Sequence, residues 1–90
     1  MLKITRTLLS RNELTLQLDG RVTGRWVDLL RESAHSALEE EGVRLNVDLK
    51  NVYFIDCEGI ALLKSLINRG VQLVNAPLFV VEQIKKCQEV

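Results

Sequence analysis

Hydrophobic positions change their period several times along the chain, and each change marks an element. Leu14, Leu16 and Leu18 alternate with Thr15 and Gln17, the pattern of a strand with one covered face. Upstream, residues 2–9 read as a first strand with Ile4 and Leu8 on a shared face, and Ser10-Arg11-Asn12 as a turn. Two strands so close in sequence predict an antiparallel hairpin. The segment Asp19-Gly20-Arg21-Val22-Thr23-Gly24 ends the second strand near Leu18, and Thr23 is the expected cap of the helix that follows. Trp26 occupies the position where a capping box needs Glu or Gln, so no box forms.

The period then becomes helical. Val27, Leu30, Ala34, Ala37 and Leu38 form an apolar stripe, with Asp28, Arg31, Glu32, His35 and Glu39 opposite it. This helix is expected to run to about Glu41 and to stop at Gly42. Alternation returns over residues 43–49, where Leu45, Val47 and Leu49 face one way and Asn46 and Asp48 the other. Residues 50–55 read as a short apolar connection to an acidic turn, Asp56-Cys57-Glu58-Gly59. A helix from Cys57 to about Asn68 follows, with Ile60, Leu62, Leu63, Leu66 and Ile67 as a broad apolar face and Gly70 as its stop. Residues 71–74 make a last short strand. Asn75-Ala76-Pro77 opens a final helix with Val80, Val81, Ile84 and Cys87 inward.

The order β-β-α-β-α-β-α places helices between later strands, which implies right-handed crossovers and parallel pairing. Strands buried on both faces read as continuous apolar runs, whereas these alternate. The expectation is an α/β fold: a mixed four-stranded sheet with about three main helices, mainly on one face. Thr15, Gln17, Asn46, Asp48 and Gln72 should line the wetter face.

Ninety residues suit one domain spanning 1–90. A hydrophobic fraction of 47% allows a packed core without a metal or disulfide. Twelve basic and twelve acidic side chains cancel, which disfavours nucleic-acid binding, since affinity there rests on phosphate neutralisation. The N-terminal residues lack the apolar run of a signal peptide, and no stretch is long enough to span a bilayer. A cytoplasmic location without membrane insertion is therefore expected, with Cys57 and Cys87 as thiols.

Several kinds of chemistry are disfavoured by the residues available. One histidine and two distant cysteines make no zinc site. Gly20-Arg21-Val22-Thr23-Gly24 lacks the Gly-Lys-Ser/Thr end of a phosphate loop. Cys57 is flanked by Asp56 and Glu58, which oppose a thiolate. His35, on the solvated side of its helix, is no general base for that thiol. No cofactor and no enzymatic activity are expected. Asp56 is placed to cap the helix after it, and Glu58 to interact favourably with that helix's dipole. Trp26 is expected to pack in the core, with Arg21, Arg25, Lys64 and Arg69 as solvated rim charges.

Taken together, Leu16-Gln17-Leu18-Asp19-Gly20-Arg21-Val22, the amphipathic helix, and the run from Val47 through Phe54-Ile55-Asp56-Cys57-Glu58-Gly59 into Ile60-Ala61-Leu62-Leu63 resemble the STAS domain. That family includes bacterial anti-sigma-factor antagonists and the cytoplasmic tails of sulfate transporters. The resemblance covers nearly the whole chain. It implies regulatory protein binding in signal transduction and transcription regulation, with an anti-sigma factor or serine kinase as partner. It also implies docking through Asp56, Cys57, Glu58, Gly59, Ala61, Lys64 and Ser65. Antagonists of this family carry a phosphorylated Ser or Thr directly after the turn Asp. Cys57 stands at that position, so phosphorylation is not expected here. A second expectation is an accessory cytoplasmic STAS subunit of an ABC-type lipid or anion transport system.

Overall fold

The structure, a computed structural model, describes residues 2–40 and 42–86. Within them the order is β1 (Leu2–Ser10), β2 (Glu13–Val22), α1 (Arg25–Leu38), β3 (Arg44–Ile55), α2 (Cys57–Asn68), β4 (Gln72–Val74) and α3 (Leu78–Lys86). The strands form one four-stranded sheet in the order β1-β2-β3-β4. The β1–β2 hairpin is antiparallel, with Ile4 opposite Leu18 and Leu8 opposite Leu14. Each later strand follows a helix and pairs in parallel: Leu14 with Leu45 and Leu16 with Val47 in β2–β3, then Val47 with Leu73 in β3–β4. The mixed α/β sheet expected from the alternation is therefore present.

That register stacks the inward residues in rows. Leu14, Leu16 and Leu18 of β2 and Leu45, Val47 and Leu49 of β3 are buried. They share the core with Val27, Leu30, Ala34 and Ala37 of α1 and Ile60, Leu63 and Leu66 of α2. Removing this much apolar surface from water is the main term favouring the fold. At the end of α2, Gly70 adopts φ 90. Its N–H donates to Ile67 O, and Val71 N donates to Leu66 O, both at 3.0 Å. This reciprocal closure of the last helical turn turns the buried Val71 inward, just before β4 begins at Gln72.

The structure corrects several boundaries. β2 continues past Leu18 to Val22, because Gly20 at φ 118 carries the chain through an irregularity instead of reversing it. β3 follows it to Ile55, so residues 50–55 are strand and not connection. Thr23 does not cap α1. Gly24 holds that place at φ 52, without a side-chain cap bond, and Val27 N donates to its carbonyl at 3.0 Å. The helix closes on Glu39, earlier than Glu41, which lies outside the described residues.

Burial also departs from pattern at the margins. Leu8 is 69% exposed, since the helical layer covers β1 only near its start. Ile67 is 42% exposed on the outer side of α2. On the wetter face Thr15, Gln17 and Asp48 are half-buried and Gln72 is exposed, but Asn46 is buried. Val80 is buried in α3 and Val81 and Ile84 are half-buried, while Cys87 lies outside the described residues.

Replacing Leu16 or Leu49 by Ala is expected to lower unfolding free energy by about 2–5 kcal/mol. Leu8→Ala should change it by about 0.5 kcal/mol or less. Urea denaturation of the three variants checks both values.

Candidate functional site at the turn between β3 and α2

The turn is shaped by how β3 ends. Ile55 is buried and pairs with Val22. Asp56, still extended at φ −92 and ψ −180, donates its N–H to Val22 O at 3.2 Å. The chain then enters α2, and Ile60 N donates to Asp56 O at 3.0 Å. The Asp56 carboxylate closes the corner. Its Oδ1 accepts from Gly59 N at 2.8 Å, the helix-capping bond expected from the sequence. Its Oδ2 accepts from Gly24 N at 3.1 Å, and Gly24 is the residue at the start of α1. One side chain thus serves backbone donors at the openings of both helices, where the helix dipoles are positive.

Gly59 explains why the corner is so tight. A Cβ there would lie 2.6 Å from Ile55 Cγ1 and 2.9 Å from Val22 O. The second atom belongs to the backbone and is already held by Asp56 N, so it has little freedom to retreat. The glycine lets α2 start directly against the end of β2.

Around this fixed corner, Asp56 is half-buried and Cys57, Glu58, Ala61 and Ser65 are exposed along α2. Lys64 is half-buried on the same helix. These side chains recur at helical spacing and form a continuous outer strip. Gly59 lies beneath it and offers a partner no surface of its own.

Two aromatics that the sequence reading did not place among the docking residues stand beside the turn. Tyr53 is 63% exposed and Phe54 50% exposed at the end of β3, although Val52 and Ile55 on either side are buried. Strand β4 pairs with β3 only across residues 46–48, which leaves the later part of β3 less covered. Arg21 stacks its guanidinium 5.6 Å from the Tyr53 ring centre. Phe54, Cys57, Gln83 and Lys86 border a cleft of about 370 Å³ beside the turn. The signal was the pair of adjacent aromatics in a strand, which simple alternation cannot place on one covered face.

Cys57 is a free, exposed thiol. The sole histidine, His35, lies 3.3 Å from Arg69 at the far end of α2. Twelve helical residues separate that end from Cys57, about 18 Å at the ordinary rise. Among the described residues no group of His, Cys, Asp and Glu is arranged to hold a metal ion, and no helix is long and apolar enough to cross a membrane. Trp26 is half-buried, with Arg25 stacked 5.0 Å from its ring centre.

No protein-family model matches the chain, and no curated protein matches it. Solved structures do. The chain is similar to the anti-sigma-factor antagonist SpoIIAA in its unphosphorylated form, with a TM-score of 0.59 and 13% identity over 98% of this chain and 100% of that one. It is also similar to an antisigma-factor antagonist STAS domain from Rhodobacter sphaeroides, with a TM-score of 0.58 and 16% identity over 82% of this chain and 86% of that one. The fold is therefore STAS-like, of the kind seen in anti-sigma-factor antagonists, as the sequence resemblance implied.

Asp56→Ala is expected to cost about 2 kcal/mol, through loss of the α2 cap and of the Gly24 bond. Asp56→Asn retains one acceptor oxygen and should cost less. Gly59→Ala should cost about 1–3 kcal/mol through overpacking against Val22. Thermal and urea unfolding rank the three.

Proposed function

We propose that this chain is a single non-enzymatic binding domain that regulates another protein, in the manner of an anti-sigma-factor antagonist. The observation that carries this reading is the exposed strip Cys57, Glu58, Ala61 and Ser65, held on a helix whose opening is fixed by Asp56. A partner meeting this strip finds a surface already ordered, so less conformational entropy is lost on binding. Asp56 contributes by holding the turn in place. Glu58 supplies a negative charge at the rim, and Ala61 and Ser65 are small enough for close approach by a facing element. Lys64 completes the contact region.

The chain takes a protein partner, an anti-sigma factor or its serine kinase, in a bacterial cytoplasm and upstream of transcription. Cys57 replaces the hydroxyl that such kinases phosphorylate in the family. A thiol is a poor acceptor for that transfer, so binding here is constitutive and not relieved by phosphate.

The test uses the anti-sigma-factor kinases encoded in the same genome, titrated calorimetrically against the full chain. Binding of one of them is expected, with Ala61→Arg weakening affinity at least tenfold while leaving thermal unfolding unchanged. Incubation with that kinase and ATP should leave the mass of the wild type unaltered, whereas Cys57→Ser should gain one phosphate. Absence of binding to every such kinase, or phosphate on wild-type Cys57 or Glu58, refutes the reading.

A further inference from the structure

Strand β1 forms one border of the sheet and pairs with β2 on its inner side. The backbone N–H and C=O groups on the outer side of such a strand are a template for another strand. The opposite border is β4, three residues long against nine in β1. The sheet therefore has one long edge.

Proteins blunt long edges with charge, proline or an inward-pointing ionic group. In β1 the charges, Lys3 and Arg6, lie in the first part, and Arg6 is engaged by Glu40 at 4.0 Å. Thr7-Leu8-Leu9-Ser10 has neither charge nor proline. Leu8 is 69% exposed and Leu9 58% exposed, and they lie on opposite faces. Leu8 stands opposite the buried Leu14, so it belongs to the helical face. Leu9 lines, with Thr7, Glu13, Asn46 and Asp48, an open hollow of about 430 Å³ on the uncovered face. A helix or small ligand laid against one face covers one of these leucines. A strand added along the edge sends side chains to both faces and covers the two together.

Symmetry and charge identify that strand. Antiparallel pairing of β1 with the same strand of a second copy needs a two-fold axis normal to the sheet, which keeps the helices of both copies on one side. Residues directly opposite share a face, so the axis passes at a residue and not between two. With the axis at Arg6, two guanidinium groups oppose one another. At Thr7, Lys3 faces Arg11. At Leu9, only Leu8 to Ser10 are paired. At Leu8, Leu8 meets Leu8 on the helical face, Thr7 meets Leu9 on the other, and Arg6 meets Ser10, so no two cations are opposed.

We propose that β1 is a self-pairing edge through which two copies of this chain join their four-stranded sheets into one, about an axis at Leu8. Each copy uses its one long edge, so association closes at two. The overlap, Arg6 to Ser10, is short, and the dimer should dissociate at about 0.1 mM, as small interfaces do. This edge shares no residue with the strip on α2, and nothing in it depends on the protein partner proposed above.

The experiment is sedimentation equilibrium of the full chain, under reducing conditions, from about 0.01 to 1 mM, a range that brackets such an affinity. The mass is expected to rise from one chain to two and no further. Leu8→Lys and Leu9→Lys should each remain single throughout, with thermal unfolding in dilute solution confirming their fold. Leu78→Lys, which removes an exposed leucine of α3, should leave the dimer intact. The axis is read by cross-linking in a Cys57→Ser, Cys87→Ser background. Residues directly opposite in an antiparallel pair lie within disulfide reach, so Leu8→Cys should give a covalent dimer on oxidation and Lys3→Cys should not. A single chain at every concentration overturns the proposal and leaves the edge to a strand of another protein. Growth beyond two chains, a dimer that survives both edge variants or is lost in Leu78→Lys, or equal cross-linking at positions 3 and 8 overturns it as well.

Discussion

The arrangement depends on one carboxylate that two helices share. Asp56 accepts from Gly59 N at the opening of α2 and from Gly24 N at the opening of α1. Such a bridge needs the ends of β2 and β3 to lie side by side, which the pairing of Val22 with Ile55 provides. It also needs α2 to begin close to β2, which the absence of a side chain at Gly59 permits. Sheet register, helix entry and the position of the outer strip are therefore consequences of the same corner. The two donors are met by different oxygens of one carboxylate, so the type of residue at position 56 serves the bridge between helices as well as helix capping.

This division of labour separates scaffold from surface. Asp56 and Gly59 are committed to structure, while Cys57 and Glu58 between and beside them face outward. The first helical position can change its chemistry with little effect on the core, because its side chain is exposed. The likeness to SpoIIAA at 13% identity is accordingly a likeness of framework.

Much of that framework was legible in the sequence because burial on one face writes a period into the chain. Leu14, Leu16 and Leu18 announced β2, and Val27, Leu30, Ala34 and Ala37 announced α1, each by a repeat that a single covered face imposes. Gly20 misled for a physical reason. Glycine at positive φ serves a turn and a strand irregularity equally well, and only pairing with β3 decides between them. The run from Val52 to Ile55 was ambiguous because an irregular register places Tyr53 and Phe54 outside together. At the candidate site, the cap from Asp56 to Gly59 is local and was foreseen. The bond to Gly24 spans thirty-two positions and is invisible to any local pattern.

Asn46 shows where stability alone stops explaining the residues. Alternation put it on the wetter face, but the sheet there is half covered by its own neighbours, and the amide ended up buried. Leaving a buried acceptor unpaired costs about 1–3 kcal/mol. A β-branched apolar residue at that place in a parallel strand avoids this cost and suits the strand better. Glu13 is drawn inward by the same amide, which places a carboxylate over a surface that has no cation in its lining. Two polar choices on adjacent strands are thus tied together on the uncovered face. The chain consequently has two surfaces of different kinds: a small-residue strip made rigid by the Asp56 corner, and an acceptor-rich hollow whose polar groups are not fully satisfied by the fold itself.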